Sequence, residues 1–468
     1  MRFDAPLGPR VLAHIVDLIP ISLIYLAVYF ELGEATSLLA ISLLGSVLVL
    51  SIVLYFSLFE VLFSTTPGKK LMNLYVISVD PLGPLSPRQA LVRNMLRLTD
   101  IFLFYLPTFV LRRRIGDILA GTAVVSEDLM TLKVRGFEES VAEALLPIIE
   151  RKLERTDYTT RAKLMELGER AEIPHFIESM DAPEEVKRVL AAILKWPEKF
   201  RRAFTPSELI QVYRVASQLA YRPEEREELL QLSRVIEALH LTRRRDIRLG
   251  YAFHSLRRVP NEFRSLIPYF VLSVVLLIVI SYTAAILRPD PLIKALKELF
   301  STTDGEALSN TAYVFSVIFL NNVRVAILLL GLSPTVIVPL LMLLVNGLVI
   351  GGLLGAYAAE GKALQALILI LPHGVPELTA IFIVTSLSLK AAKIVVIPPK
   401  EGRILALRKL FLGSLEVLIA ATLLLFYAAV IEAAVTRSLS SDPVKGIVFS
   451  LIEGVVIYTL LLKTSSSS

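Results

Sequence analysis

Hydrophobic positions along the chain fall into two long blocks on either side of one polar block. The first block reaches about residue 125 and contains two apolar runs, 11–30 and 38–63. Each is long enough for a membrane-spanning helix, which needs about 20 apolar residues. Six further runs of this kind follow in the last block, at 266–287, 312–330, 335–358, 364–389, 407–434 and 446–462. The pattern predicts an all-α, polytopic membrane protein with about eight or nine transmembrane helices.

Another apolar run, 101–111, is too short to span a bilayer alone. Cationic residues stand on both sides of it, including Arg97 before and Arg112 after. Two interpretations stay open: a helix that dips into the membrane, or a tilted span extended back through Leu91. Because a charged block follows, the pattern favours a return of the chain to the cytoplasm.

The polar block between residues 126 and 264 predicts a soluble helical domain. Its apolar positions recur at helical spacing in five segments, 141–153, 161–172, 184–196, 207–220 and 224–241. Asp181 and Thr205 each stand shortly before a proline and acidic residues, which is typical of a helix N-cap. The predicted domains are therefore a membrane domain at 1–125, a cytoplasmic helical domain at 126–264, a second membrane domain at 265–463 and a Ser-rich tail at 464–468.

Composition strengthens this division. The 468 residues are 54% hydrophobic and 20% charged, but residues 126–264 alone carry 25 Lys/Arg and 24 Asp/Glu. Such a composition excludes an ordinary soluble enzyme. The chain has no Cys, which excludes disulfides, thiol nucleophiles and thiolate metal sites. The net charge of +6 is spread along the chain and predicts no nucleic-acid partner.

Cationic residues near the apolar runs predict the orientation, because positive loops stay in the cytoplasm. Lys69 and Lys70 follow the second run, and Lys390 and Lys393 follow the sixth. The N-terminus, the middle domain and the C-terminus are all expected on the cytoplasmic side of the cell membrane. A basic cluster before the last block is expected to face anionic lipids. It consists of Arg243, Arg244, Arg245, Arg248, Arg257 and Arg258.

Charged residues of the first block lie beside or within apolar runs. Arg10 and Asp17 are seven residues apart, as are Arg93 and Asp100, which places each pair on one helix face. Arg114 and Asp117 are three residues apart. One interpretation is an Arg–Asp cluster that holds three helices together, and the other is an ion or substrate path.

Polar residues also interrupt the apolar runs of the last block. His373 and Glu377 share a helix face if the helix continues through Pro376, but Pro372 and Gly374 predict a break. The other members are Asn322, Arg324, Asn346, Gly347 and Glu432.

Three interpretations of this polar set stay open. It is a buried polar network, or a proton or cation site on the two carboxylates, or a metal site. The metal interpretation requires His373, Glu377 and Glu432 to converge, and a single His gives it little support. The sequence accordingly predicts no metal, no cofactor and no catalytic residue.

The first block resembles the RDD family. The resemblance is carried by Arg10-Val-Leu-Ala-His-Ile-Val-Asp17, Thr66-Pro-Gly-Lys-Lys70, Gln89-Ala-Leu-Val-Arg93 leading to Asp100, and Arg114-Ile-Gly-Asp-Ile-Leu-Ala-Gly-Thr122. The resemblance implies a small membrane domain, named for an Arg and two Asp that correspond here to Arg10, Asp17 and Asp100. It also implies a role in transport, since sodium/proton exchange has been proposed for some members.

The last block resembles the stage II sporulation protein M family. The motifs are Asn321-Asn-Val-Arg324, Asn346-Gly347, Pro372-His-Gly374 with Glu377, and Glu432. In spore-forming bacteria the named member belongs to a membrane complex that drives peptidoglycan remodelling and acts with separate wall-cutting partners. The resemblance therefore implies a component of a membrane complex without catalytic activity of its own.

Together these observations predict a non-enzymatic scaffold or transport-like component of a membrane or envelope complex. The alternative is an ion-coupled proton or sodium transporter or channel that uses intramembrane carboxylates, and a membrane enzyme is the third hypothesis. The expected partners are the bilayer, its anionic lipids and other proteins of the complex, and homo-oligomerisation stays open.

Overall fold

A computed structural model describes residues 4–32, 38–103, 105–200, 203–243, 258–287, 311–435 and 443–463. Eight helices in these ranges are long and apolar enough to cross a membrane. The described chain is almost entirely helical, with a single small sheet. The predicted class, an all-α polytopic membrane protein, is confirmed.

Elements of the first block follow one another with short connections. They are α1 Leu7–Leu32, α2 Leu38–Phe63, α3 Pro67–Leu71, β1 Leu74–Val79, β2 Leu82–Pro84, α4 Pro87–Met95, α5 Arg97–Phe102, α6 Leu106–Leu111, α7 Ile115–Ala120 and β3 Thr122–Ser126. No continuous helix crosses residues 91–111, so the tilted-span alternative is not what forms there. Tyr105 and Arg112 adopt left-handed backbone conformations that bound α6 on either side.

The three strands form an antiparallel sheet in the order β2-β1-β3. Tyr75 of β1 lies opposite Val125 of β3, and Ile77 lies opposite Ala123. These four side chains are buried in one hydrophobic core with the helices of the middle block. The sequence did not predict this sheet, because β1 is a nearly continuous apolar run without the alternation of a half-exposed strand.

The middle block contains the five predicted helices within a few residues of their expected ends. They are α8 Glu138–Arg155, α9 Tyr158–Glu169, α11 Glu184–Lys195, α12 Pro206–Leu219 and α13 Pro223–Arg243, with the short α10 His175–Glu178 between the second and third. Thr205 caps α12 in a capping box with Glu208, as its position predicts. The predicted N-cap at Asp181 is wrong, because α11 begins after Pro183. The N-cap residue is therefore Pro183, whose side chain has no oxygen to accept a hydrogen bond from the first turn.

The chain divides into two compact units that do not follow the order of the sequence. One unit contains residues 1–17, 59–86 and 122–246, and the other contains 18–58, 87–121 and 247–468. The first block contributes to both units. The predicted domain boundary at 125/126 lies inside the first unit, where β3 and the middle helices bury side chains in the same core.

The described residues of the last block form seven helices of the second unit. They are α14 Val259–Leu287, α15 Thr311–Gly331, α16 Ile337–Ala359, α17 Ala363–Val396, α18 Arg403–Gly413, α19 Leu415–Val430 and α20 Pro443–Leu462. The predicted run 407–434 is divided at Ser414 into α18 and α19. Of the eight membrane-spanning helices in the described ranges, α17 is the most buried.

The predicted break at Pro372–Glu377 is wrong, since α17 continues through both Pro372 and Pro376. The carbonyl oxygen that Pro376 leaves without its usual helical partner is that of Pro372 itself, so the two prolines disturb a single short stretch. Neighbouring membrane helices can hold a proline-containing helix together. Here α14, α16, α19 and α20 all pack against α17. His373 and Glu377 therefore share one face of a continuous helix.

Helices α14 and α16 make the most extensive contact in the unit, and glycines allow it. A Cβ atom added at Gly351 would overlap the backbone of Ser281, and one at Gly355 would lie 3.0 Å from Ala285. Small residues allow such a close approach of membrane helices, as Gly351-Gly-Leu-Leu-Gly355 does here.

We expect Gly351→Ala to lower the stability of the protein by about 1–3 kcal/mol, because the new methyl group must push α14 away from α16. Thermal unfolding of the purified protein in detergent measures the change. Gly8→Ala is the matched control, since a Cβ at Gly8 of α1 meets nothing within 4 Å. Equal melting temperatures for the two variants would contradict the packing argument.

Candidate functional site

Asp17 of α1 is buried and binds the loop that follows α2. Its carboxylate accepts hydrogen bonds from the Thr66 hydroxyl at 2.5 Å and from the Gly68 backbone N–H at 2.8 Å. A Cβ at Gly68 would overlap the carbonyl oxygen of Ala13, so glycine is required for this approach. Asp17 thus fastens the Thr66-Pro-Gly turn to α1. Arg10 lies two helical turns earlier on α1.

A second polar cluster joins α4, α5 and α7. The Arg93 guanidinium lies 2.5 Å from the Asp117 carboxylate, and Arg114 contacts the same carboxylate at 3.1 Å. Asp100 accepts the backbone N–H of Ile115 at 2.9 Å. Burial raises the pKa of the Asp100 carboxyl, and the nearby Arg114 guanidinium opposes that shift. These contacts join α4, α5 and α7, and the helix-locking role and the ion or substrate path both stay predictions.

Two further buried ion pairs were not found from the sequence. Glu60 of α2 pairs with Lys69, and Glu416 of α19 pairs with Arg88 of α4. The position of each acidic residue could have predicted a cationic partner. Each stands at the edge of an apolar run, where an isolated charge is energetically costly. With these pairs, the acids described so far all have a cation or hydrogen-bond donors beside them. This fits a structural role.

The last block contains a cluster of a different composition. One nitrogen of His373 and one carboxylate oxygen each of Glu377 and Glu432 all lie within 4.8 Å of one another. His373 and Glu377 come from successive turns of α17, whereas Glu432 comes from the far end of α19. All three side chains are partly exposed rather than sealed in the core. This convergence is the condition that the metal interpretation requires.

An irregular backbone carries Glu432 to the cluster. Helix α19 ends at Val430 and passes into a π-helical turn, Ile431–Val435. A π-turn adds a residue to one helical turn, which rotates the following side chains, and such turns are frequent at functional sites. The sequence predicted a break in α17, but the irregular helical turn beside the cluster follows α19 instead.

A chain of hydrogen bonds supports the cluster from α15. The Asn322 side chain is hydrogen-bonded to Glu377. The Asn321 amide donates to the Asn322 oxygen at 3.3 Å, and the Ser42 hydroxyl of α2 donates to the Asn321 oxygen at 2.8 Å. The orientation of Glu377 is thus linked, through two amides, to a helix of the first block.

Arg324 contacts the hydrogen-bonded residues that support the cluster and is not itself a member of the cluster. Its guanidinium donates to the Ser42 carbonyl at 2.9 Å and to the Asn321 oxygen at 2.6 Å. A Cβ at Gly45 would lie 2.6 Å from the same guanidinium, so glycine at that position makes room for it.

Three other predicted residues lie apart from the donor atoms. Asn346 is exposed and its amide donates to Met342 of its own helix, α16. Gly347 lies against Ile280 of α14, where it serves helix packing. Gly374 supplies no side-chain donor, and a Cβ there would lie 3.2 Å from Ile370 of the same helix. Asn322, His373, Glu377 and Glu432 are the predicted residues that the structure brings together.

Comparison with known protein families divides the chain in the same way as its motifs. Residues 5–121 match the RDD family, and residues 266–437 match the family described as Stage II sporulation protein M. The chain is a fusion of these two family domains. No curated protein and no solved structure matches it. Residues 122–265 fall between the two family matches.

Every member of the His373, Glu377 and Glu432 cluster lies in the sporulation protein M domain, as does Asn322. Ser42, at the other end of the hydrogen-bond chain, lies in the RDD domain. The two family domains therefore both contribute to the surroundings of the cluster.

Glu453 of α20 is an intramembrane carboxylate that the sequence analysis missed. It is 6% exposed and interacts with the hydroxyl of Tyr427 on α19. One turn beyond it on α20, the Tyr458 hydroxyl lies 3.1 Å from that of Thr379 on α17. A single acid in the middle of an apolar run, as in Ile452-Glu453-Gly454, was the available signal. Glu453 lies beyond the matched part of the family.

The predicted lipid-facing basic cluster is largely outside the described residues. Arg244, Arg245, Arg248 and Arg257 all fall in the range 244–257, which is not described. Arg243 is the last residue of α13, and Arg258 directly precedes α14. The lipid-facing role of these residues stays a prediction.

We expect Asp17→Ala to destabilise the protein by about 1–3 kcal/mol, because it leaves the buried Thr66 hydroxyl and Gly68 N–H without their acceptor. Thermal unfolding in detergent measures this loss. Asp181→Ala, at an exposed position that does not cap α11, should change stability by less than about 0.5 kcal/mol. A stable Asp17→Ala variant that has lost ion flux would refute the structural role.

Proposed function

We propose that this RDD and sporulation protein M fusion is a non-enzymatic, transport-like component of a membrane complex, and that it binds a cation within its second membrane domain. The observation that carries the proposal is the convergence of His373, Glu377 and Glu432 within 4.8 Å. The family matches and the eight apolar helices make the chain a multi-pass membrane protein.

The charges of this cluster favour cation binding over a purely structural network. Two carboxylates this close repel each other strongly among apolar helices, where little water screens them. In the RDD domain each acid of the clusters has a cation or backbone donors beside it. At Glu377 the partner is the neutral Asn322, while the nearby Arg324 guanidinium binds Ser42 and Asn321. Binding of a proton or a metal cation neutralises the pair.

The charged middle block supports the proposal of protein partners. Its helices α8, α11, α12 and α13 bury a continuous apolar core, while their charged side chains face outward. We propose that this surface docks other proteins of the complex on the cytoplasmic side, and that anionic lipids bind the adjacent basic stretch. Association of several copies is compatible with this arrangement.

The distribution of Lys and Arg predicts that both termini and the middle block lie on the cytoplasmic side of the membrane. Because the chain has no Cys, a single introduced cysteine is the only thiol that a labelling reagent can modify. We expect Tyr221→Cys, at a position 95% exposed in the middle block, to react with a membrane-impermeant maleimide after the cells are permeabilised. Lys362→Cys, between α16 and α17, should react in intact cells. The reverse pattern would overturn the orientation.

For the cation-binding function we expect Glu377→Gln to reduce flux at least about tenfold, because the substitution removes a charge from the cluster and keeps the side-chain shape. The measurement is proton or sodium movement into liposomes that contain the purified full-length protein. Thr422→Val is the control, since Thr422 is exposed on α19 and its hydroxyl donates to Leu418 of the same helix.

Two results would sink this function. One is wild-type protein that moves neither ion faster than empty liposomes. The other is Glu377→Gln protein that transports as fast as the Thr422→Val control. Thermal unfolding of each preparation separates a loss of flux from a loss of folding.

A further inference from the structure

The donor atoms of the cluster suit a transition-metal ion as the bound cation. Sodium and magnesium prefer sites made of oxygen atoms, whereas an imidazole nitrogen suits manganese, iron, cobalt and zinc. The cluster offers one imidazole nitrogen and two carboxylate oxygens.

The spacing of the donors is close to what a metal ion needs. Zinc binds nitrogen and oxygen donors at about 2.0–2.2 Å, which sets neighbouring donors roughly 3–4 Å apart. The observed limit of 4.8 Å is within a small side-chain rotation of that spacing.

A metal site also needs outer groups that orient its ligands. The Asn322 side chain holds Glu377, Asn321 holds Asn322 at 3.3 Å, and the Ser42 hydroxyl holds Asn321 at 2.8 Å. The π-turn at Ile431–Val435 presents Glu432 from the opposite helix. One ligand is therefore fixed by side-chain hydrogen bonds and another by an irregular backbone.

We propose that His373, Glu377 and Glu432 bind one divalent first-row transition-metal ion of the manganese-to-zinc series. The two carboxylates balance the double charge of the ion, and His373 provides the selectivity against magnesium and sodium. This inference rests on the proposed function, since it names the class of cation that the second membrane domain holds.

Direct binding to the purified full-length protein tests the site. After EDTA treatment and removal of the chelator, the protein is equilibrated with ZnCl2, MnCl2 or MgCl2, and the bound metal is measured by mass spectrometry. We expect about one Zn²⁺ or Mn²⁺ per chain and no retained Mg²⁺. His373→Gln and Glu432→Gln should each lose most of the bound metal, whereas Asn346→Ala, at an exposed position outside the cluster, should keep it.

A milder variant keeps the test decisive if a ligand variant fails to fold. Ser42→Ala leaves the three ligands in place and removes the outermost hydrogen bond, so metal affinity should fall, though by less than the about 10-fold expected when a group bonded directly to a ligand is lost. Ser450→Ala is the matched control, because the buried Ser450 hydroxyl bonds to Gly446 of its own helix. Cobalt absorption spectra provide a second readout, since replacement of the His373 nitrogen changes the ligand field.

The outcomes separate the metal site from the transport function. Retention of less than about a tenth of an ion per chain by the wild type, or equal retention by His373→Gln, would overturn the site. If proton or sodium flux still depends on Glu377 in that case, the proposed function stands without the metal. Metal that binds through His373 without proton or sodium flux supports the site and refutes proton or sodium transport.

Discussion

The mutual repulsion of Glu377 and Glu432 is the constraint on which the second membrane domain depends. Carboxylates held within 4.8 Å among apolar helices need a positive charge between them, and ordinary helix packing does not supply one. Several features of the domain serve to hold this unfavourable pair in place. The continuous α17 carries one acid, the π-turn after α19 carries the other, and Asn322 orients the first.

The RDD domain shows the opposite treatment of the same residue type. Asp17 receives a hydroxyl and a backbone N–H, Asp117 receives two guanidinium groups, and Glu60 receives Lys69. Each of these paired charges fixes the relative position of two short structural elements. These acids of the first domain thus lie beside cations or hydrogen-bond donors, whereas the proposed cation site of the second domain contains two neighbouring carboxylates.

Regular elements could be predicted from the sequence, since their signals are local. The helical periodicity of residues 207–220 and the cap at Thr205 both describe α12 correctly. The convergence of Glu432 with His373 had no local signal, because it depends on how two distant helices pack and on the π-turn that follows α19. The wrong break at Pro372 has the same origin: local propensity favours a break, and packing around α17 overrides it.

The hydrogen bond between Ser42 and Asn321 gives a physical reason for joining the two domains in one chain. Ser42 belongs to the RDD domain and Asn321 to the sporulation protein M domain, and both lie in the same compact unit. Arg324 and Gly45 make a second contact between the same two helices, α2 and α15. As separate chains, these helices would lose translational freedom on meeting, at a cost of several kcal/mol. Within one polypeptide most of that loss is avoided, so the outer hydrogen bonds of the cluster are held in place by the connectivity of the chain.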